Sequence, residues 1–258
     1  MPALNGGRAM HDGNDRISRR EFVAATGSAA AAAMAPASLW DTARRAPPPA
    51  GATVLFQGDS ITDCGRDRAV AESNRAAALG TGYPLLIAAQ LLAARPEAGL
   101  GVLNRGVSGN TVPDLDARWQ ADALDLKPDV LSVLIGVNDL WHKLSGHYTG
   151  TVAEYEAGYA ALLGRARRAL PAVRLVVLEP FVLRTGAVND AWFPEFDLRR
   201  AAAARVASGA GATFVPLQAM FDRLAARASA AYWAADGVHP TVAGHGAIAQ
   251  LWMQMVSP

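Results

Sequence analysis

Phe56-Gln57-Gly58-Asp59-Ser60-Ile61 and Asp236-Gly237-Val238-His239-Pro240 supply a hydroxyl, an imidazole and a carboxylate from opposite ends of one chain. A serine hydroxyl is a weak nucleophile at neutral pH and needs a base within hydrogen-bond reach. Histidine suits that task because it can take up one proton and give it back near working pH. The carboxylate fixes the imidazole tautomer and stabilises the imidazolium. Asp236 precedes His239 by three residues, so in a tight loop or helical turn the two share a face. One ring nitrogen then meets Asp236 while the other is left for Ser60. The order Ser, Asp, His also occurs in α/β-hydrolases, but the Gly-x-Ser-x-Gly elbow of that fold is missing around Ser60.

Acyl transfer also needs fixed donors for a developing oxyanion, each worth on the order of 3 kcal/mol of barrier. Two segments between the ends offer them: Asn104-Arg105-Gly106-Val107-Ser108-Gly109-Asn110 and Ile135-Gly136-Val137-Asn138-Asp139. The candidates are the Gly109 N–H, which no side chain shields, the Asn138 amide and the Ser60 N–H. Gly106 and Gly109 can also be plain turn residues, Asn138 an Asx-turn residue, and Ser60 a helix cap. His245 sits on an expected helix and reads as a packing residue.

Together the four segments resemble the four sequence blocks of the SGNH (GDSL-type) hydrolase family. Ser60, Gly109, Asn138 and His239 match its signature residues and Asp236 its triad acid. The resemblance favours Gly109 over Gly106 as the donor. Asp59-Ser60-Ile61-Thr62-Asp63-Cys64-Gly65-Arg66, Gly80-Thr81-Gly82-Tyr83, Asp114-Leu115-x-x-Arg118-Trp119 and Asn138-Asp139-x-Trp141 are similar to the acetylxylan-esterase-like branch. It covers roughly Thr53 to Met255. It implies a serine esterase, with no cofactor or metal, that removes acetyl groups from xylan, xylo-oligosaccharides or related carbohydrates through an acyl-enzyme. A short-chain lipase, thioesterase or lysophospholipase would use the same residues, and a silent carbohydrate-binding module could keep the fold. That branch includes oligomers, so a homo-oligomer is compatible with the resemblance.

Asp59, Tyr83, Trp141 and Trp233 are the expected substrate contacts: all lie in or near the blocks, and the faces of the three aromatics can bind sugar rings, although tryptophans also serve simply as core. Trp141 follows Asn138 by three residues and Trp233 precedes Asp236 by three. Arg66 and Arg118 read as structural ion-pair partners. Cys64, four residues after Ser60, has no histidine beside it in sequence and reads as a small buried residue.

The elements that must position these groups alternate. Apolar runs at Val54–Phe56, Gly101–Asn104, Val130–Ile135, Arg174–Leu178 and Thr213–Val215 read as buried strands. Helical spacing covers 82–94, part of 112–124, 151–170 with a Thr151/Glu154 capping box, 198–207 and 241–255. Strand-helix alternation predicts a three-layer α/β/α sandwich around a five-stranded, mainly parallel sheet. Such sheets carry their sites at the strand carboxyl ends, where Ser60, Gly109 and Asn138 all fall.

The 258 residues, 51% hydrophobic and 18% charged, suit one domain, and a net charge of +1 gives no sign of a nucleic-acid partner. One cysteine excludes an internal disulfide, and the five histidines lack metal-ligand spacing. Residues 1–50 read as a Tat-type signal peptide and proline-rich linker, and 51–258 as the hydrolase domain. The leader shows Arg19-Arg20, the apolar run Ala24 to Leu39 and an Ala35-Pro36-Ala37 site. That run is shorter than the roughly 20 residues a span needs, so no stable membrane anchor is expected. The expected location is periplasmic or secreted.

Overall fold

The computed structural model describes residues 46–257. The leader with its twin arginines lies outside the described residues. In chain order the elements are β1 Thr53–Gly58, α1 Ser60–Asp63, α2 Ala76–Leu79, α3 Tyr83–Ala94, β2 Gly101–Asn104, α4 Val112–Trp119 and β3 Val130–Leu134. They continue with α5 Val137–Leu144, α6 Val152–Ala169, β4 Arg174–Leu178, α7 Glu195–Gly209, β5 Thr213–Val215, α8 Leu217–Ala225, α9 Ala230–Trp233 and α10 Val242–Val256. A π-helical segment, Gln120–Leu124, extends α4.

All strand pairings are parallel and the order is β2-β1-β3-β4-β5, the doubly wound arrangement predicted. Side chains of successive strand residues point to opposite faces. Val54 and Phe56 therefore enter one core with α3, α8 and α10, while Leu55, Leu131 and Val133 enter the other with α4, α6 and α7. Ser132, at an otherwise apolar strand centre, is satisfied by the Trp252 Nε1–H at 3.0 Å. Helix α6 starts at the predicted capping box: the Thr151 side chain accepts from Glu154 N, and the Glu154 carboxylate accepts from Thr151 N. Glu195 begins α7 three residues before the expected start, and α5, α8 and α9 are elements the apolar spacing did not single out.

Residues 46–50 do not hang free as a linker. Pro48 is buried, its carbonyl accepts from Arg95, and the Ala46 carbonyl accepts from Arg174. Among the described residues no helix is long and apolar enough to cross a membrane.

Gly58 ends β1 where nothing larger fits. A Cβ there would lie 2.2 Å from the Leu134 carbonyl oxygen and 2.5 Å from Thr62 Oγ1. The chain can turn from β1 into α1 this close to β3 only without a side chain.

Candidate active site

The turn after β1 presents Ser60 as the first residue of α1. Asp59 caps that helix, its carboxylate accepting from Ile61 N at 3.0 Å. The Ser60 N–H therefore falls among the first-turn donors that have no acceptor within the helix. From the other end of the chain, the loop before α10 brings His239 to the same place. His239 Nε2 lies 2.8 Å from Ser60 Oγ, and Nδ1 lies 2.7 Å from Asp236 Oδ2. A carboxylate can only accept, so Nδ1 carries the proton and Nε2 is the acceptor for the Ser60 hydroxyl.

Asp236 is held firmly. Its Oδ1 accepts from Val238 N at 2.9 Å and His239 N at 2.7 Å. Burial pushes its pKa up, but the bonds from the His239 ring, His239 N and Val238 N outweigh it and hold the carboxyl below its ordinary value. The loop is braced from behind: Leu183 N donates to Gly237 O at 2.8 Å and Ala187 N to Asp236 O at 2.9 Å. The histidine and aspartate side chains nonetheless stay 44% and 40% exposed.

The two glycine- and asparagine-bearing segments converge beside Ser60's strand. Gly109 sits in the turn after β2 with φ +84°, a conformation that favours glycine, and a Cβ there would meet nothing. Its need for glycine is conformational rather than steric. Ser108 N and Oγ both donate to Asp63 Oδ2 at 2.9 Å, tying this turn to α1. Burial pushes the Asp63 pKa up, but Arg68 and the Ser108 donors outweigh it and hold it low. Asn138, in the first turn of α5, is buried and donates from Nδ2 to Asn110 O at 3.1 Å. Asp139 beside it is fully buried and accepts from Val112 N, which locks α4 to α5.

The expected substrate contacts divide. The Trp141 ring lies 5.9 Å from the His239 ring and 5.6 Å from Trp192, half-buried at the edge of the triad. Trp233 is braced through Nε1 to the Leu224 carbonyl of α8 at 3.1 Å. Tyr83 and Asp59 do not face substrate. Tyr83 is 0% exposed, its hydroxyl bonded to Thr62 Oγ1 at 2.9 Å, and Asp59 is 1% exposed. Their block positions mark packing beneath Ser60: Asp59 caps α1, and Tyr83, opening α3, is bonded to Thr62 of α1. Burial, and then the neighbouring Asp139 charge, push the Asp59 carboxyl up to about 7. Its Oδ2 has no partner among the described residues.

Cys64 corrects another expectation. It is half-buried, and a histidine distant in sequence stands beside it: His245 Nε2 is 3.4 Å from Sγ. His245 Nδ1 accepts from Tyr83 N at 3.2 Å, so the neutral ring carries its proton on Nε2 and offers it to sulfur. Burial and then the His239 charge lower the His245 pKa to about 4. This histidine is a donor to Cys64, not a base. Arg66 donates to Gly106 O at 2.8 Å rather than to a carboxylate. Among the described residues no group of three or more His, Cys, Asp or Glu is placed to hold a metal ion.

A model of the GDSL-like lipase/acylhydrolase family matches residues 56–247 of this chain. The chain is 36% identical over 211 residues to an acetylxylan esterase of Geobacillus stearothermophilus, covering 80% of this chain and 94% of that protein. The solved structure of the Geobacillus stearothermophilus acetylxylan esterase superimposes with a TM-score of 0.73 at 34% identity, over 83% of this chain and 96% of the other. A candidate GDSL-like lipase from Parabacteroides merdae gives 0.80 at 43% identity, over 83% and 98%.

Proposed function

Given that the chain belongs to the GDSL-like lipase/acylhydrolase family and is a carboxylic ester hydrolase, we propose that it removes O-acetyl groups from xylo-oligosaccharides or related carbohydrates. The observation that carries the chemistry is the continuous path from Ser60 Oγ to His239 to Asp236, 2.8 Å and then 2.7 Å. His239 Nε2 takes the Ser60 proton as Oγ attacks the ester carbonyl. Asp236 stabilises the imidazolium that results. The Ser60 N–H, Gly109 N–H and Asn138 amide receive the oxyanion. His239 then protonates the leaving alcohol, and the same steps with water in its place release acetate. The acetyl-carbohydrate preference draws on the likeness to the acetylxylan esterase and on Trp141, which offers an aromatic edge next to His239. Export through the Tat pathway, suggested by Arg19-Arg20 and the apolar run after it, would put the enzyme where such polymers are met.

The test is acetate release from acetylated xylo-oligosaccharides, with 4-nitrophenyl acetate and octanoate alongside and Ser60→Ala as the control. Release that depends on Ser60, with octanoate turned over far more slowly than acetate, supports the proposal. Equal turnover of both esters points instead to a lipase-like acyl site, and an active Ser60→Ala protein refutes the serine mechanism.

A further inference from the structure

Arg118, on α4, is not an ordinary surface ion-pair partner. Its side chain is only 17% exposed, and its contact to Asp122, at 3.2 Å, is its longest. The shorter bonds go elsewhere. Nε donates to Asn110 Oδ1 at 2.7 Å, Nη1 to the Arg105 carbonyl at 2.7 Å and to Gln57 Oε1 at 2.9 Å, and Nη2 to the Gly58 carbonyl at 3.1 Å. The acceptors come from the ends of β1 and β2 and from the turn that follows β2. Gln57, itself fully buried, donates to the Asp122 carbonyl at 2.6 Å. The π-helical turn at 120–124 thus meets Gln57 through its backbone and Arg118 through a side chain.

Two of these acceptors stand close in the chain to donors assigned to the oxyanion. Gly58 stands two residues before Ser60. Asn110 directly follows Gly109, and the Asn110 carbonyl receives the Asn138 amide. A shift of Asn110 would move Gly109 and Asn138 together.

We propose that Arg118 is a positioning residue that sets the three oxyanion donors in register with one another. The proposal rests on the esterase reading above. A planar guanidinium reaches acceptors in several directions from one rigid fork, and a lysine ammonium cannot span the same set. Because donors must meet the oxyanion within a few tenths of an ångström, a small rearrangement of this hub reaches the transition state more than the bound ester.

Arg118→Met and Asn110→Ala test this on the full chain with 4-nitrophenyl acetate, with rates expressed per serine titrated by a phosphonate. For Arg118→Met the expected result is a kcat about 100-fold lower with KM nearly unchanged. Affinity for methylboronic acid, whose tetrahedral adduct occupies the oxyanion site, should fall in parallel, and added guanidinium should restore part of kcat. Asn110→Ala loses one acceptor and leaves Arg118 in place, so it keeps the proposal testable if Arg118→Met does not fold. Its kcat should drop about tenfold. Normal kcat per titrated serine in the variants that fold, or a lower kcat with undiminished boronate affinity, overturns the positioning role. Should Ser60→Ala abolish turnover while both variants behave normally, only this proposal falls. Should Ser60→Ala remain active, the esterase reading itself fails.

Discussion

The two halves of the candidate site are built in opposite ways. The strand-end half, carrying Ser60, Gly109 and Asn138, rests on buried polar groups: Asp59, Asp63, Gln57, Asn104 and Asp139 are all at or below 3% exposed. Most are satisfied by backbone or side-chain partners from other segments. The loop half, carrying Asp236 and His239, leaves both side chains about two-fifths exposed and relies on a few backbone bonds from the 183–187 segment. The difference matches the work each half would do under the proposed mechanism. Donors for an oxyanion act by staying fixed where charge develops, which calls for a rigid, water-poor setting. A base that exchanges protons with an alcohol and then with water must remain reachable.

Substitutions in the two halves should therefore separate activity from stability. The largest effect on rate comes from the exposed half. His239→Ala should lower kcat by about 10⁴-fold or more, as loss of a triad member does, with a melting temperature close to that of the parent. Steady-state kinetics beside a thermal melt checks both, and a large drop in melting temperature would break the contrast. Asn138→Ala, in the buried half, should cost about 10²-fold to 10³-fold in kcat and also lower the melting temperature, because the Asn110 carbonyl loses its partner.

Asp59→Asn sharpens the contrast through pH. The unfolded chain releases this proton near the ordinary carboxylate value, whereas the folded chain keeps it up to about 7. Between those values the folded state binds more protons, so this group makes stability fall as pH rises. The slope is at most about 1.4 kcal/mol per pH unit. Urea unfolding at a series of pH values should show Asp59→Asn flattening that decline between about pH 4 and 7. An unchanged slope would mean that Asp59 is not the buried acid responsible. Trp141→Ala should have the smallest effect, a several-fold rise in KM for acetylated oligosaccharide with little change for 4-nitrophenyl acetate, since one edge contact is worth about 1 kcal/mol.

How far the molecule was legible in its residues follows the same division. The five strands and most of the long helices announce themselves through apolar runs and periodicity, because those patterns are local. The Asp236 and His239 pairing was legible for the same reason, being three residues apart. Arg118 does pair with Asp122, as an ion-pair reading expects, but its acceptors at Gln57 and Gly58 lie 61 and 60 residues away and leave no local pattern. Two of its acceptors are backbone carbonyls, which carry no sequence signature. Tyr83 and Asp59 were placed at the substrate because motif membership cannot distinguish a residue that touches a ligand from one packed beneath the residue that does. The Cys64 and His245 contact spans 181 positions, beyond any local pattern. Helix α5 was hidden by its length, since eight residues following a glycine give periodicity little room.

Ser60 and His239 are separated by 179 residues, and β1 sits between β2 and β3, neither of which exists when β1 leaves the ribosome. At a synthesis rate of about 5 to 20 residues per second, Ser60 is made on the order of 10 to 40 s before His239. The contact between Ser60 and His239 can form only once the last loop before α10 has been made, so the candidate site is completed late in synthesis.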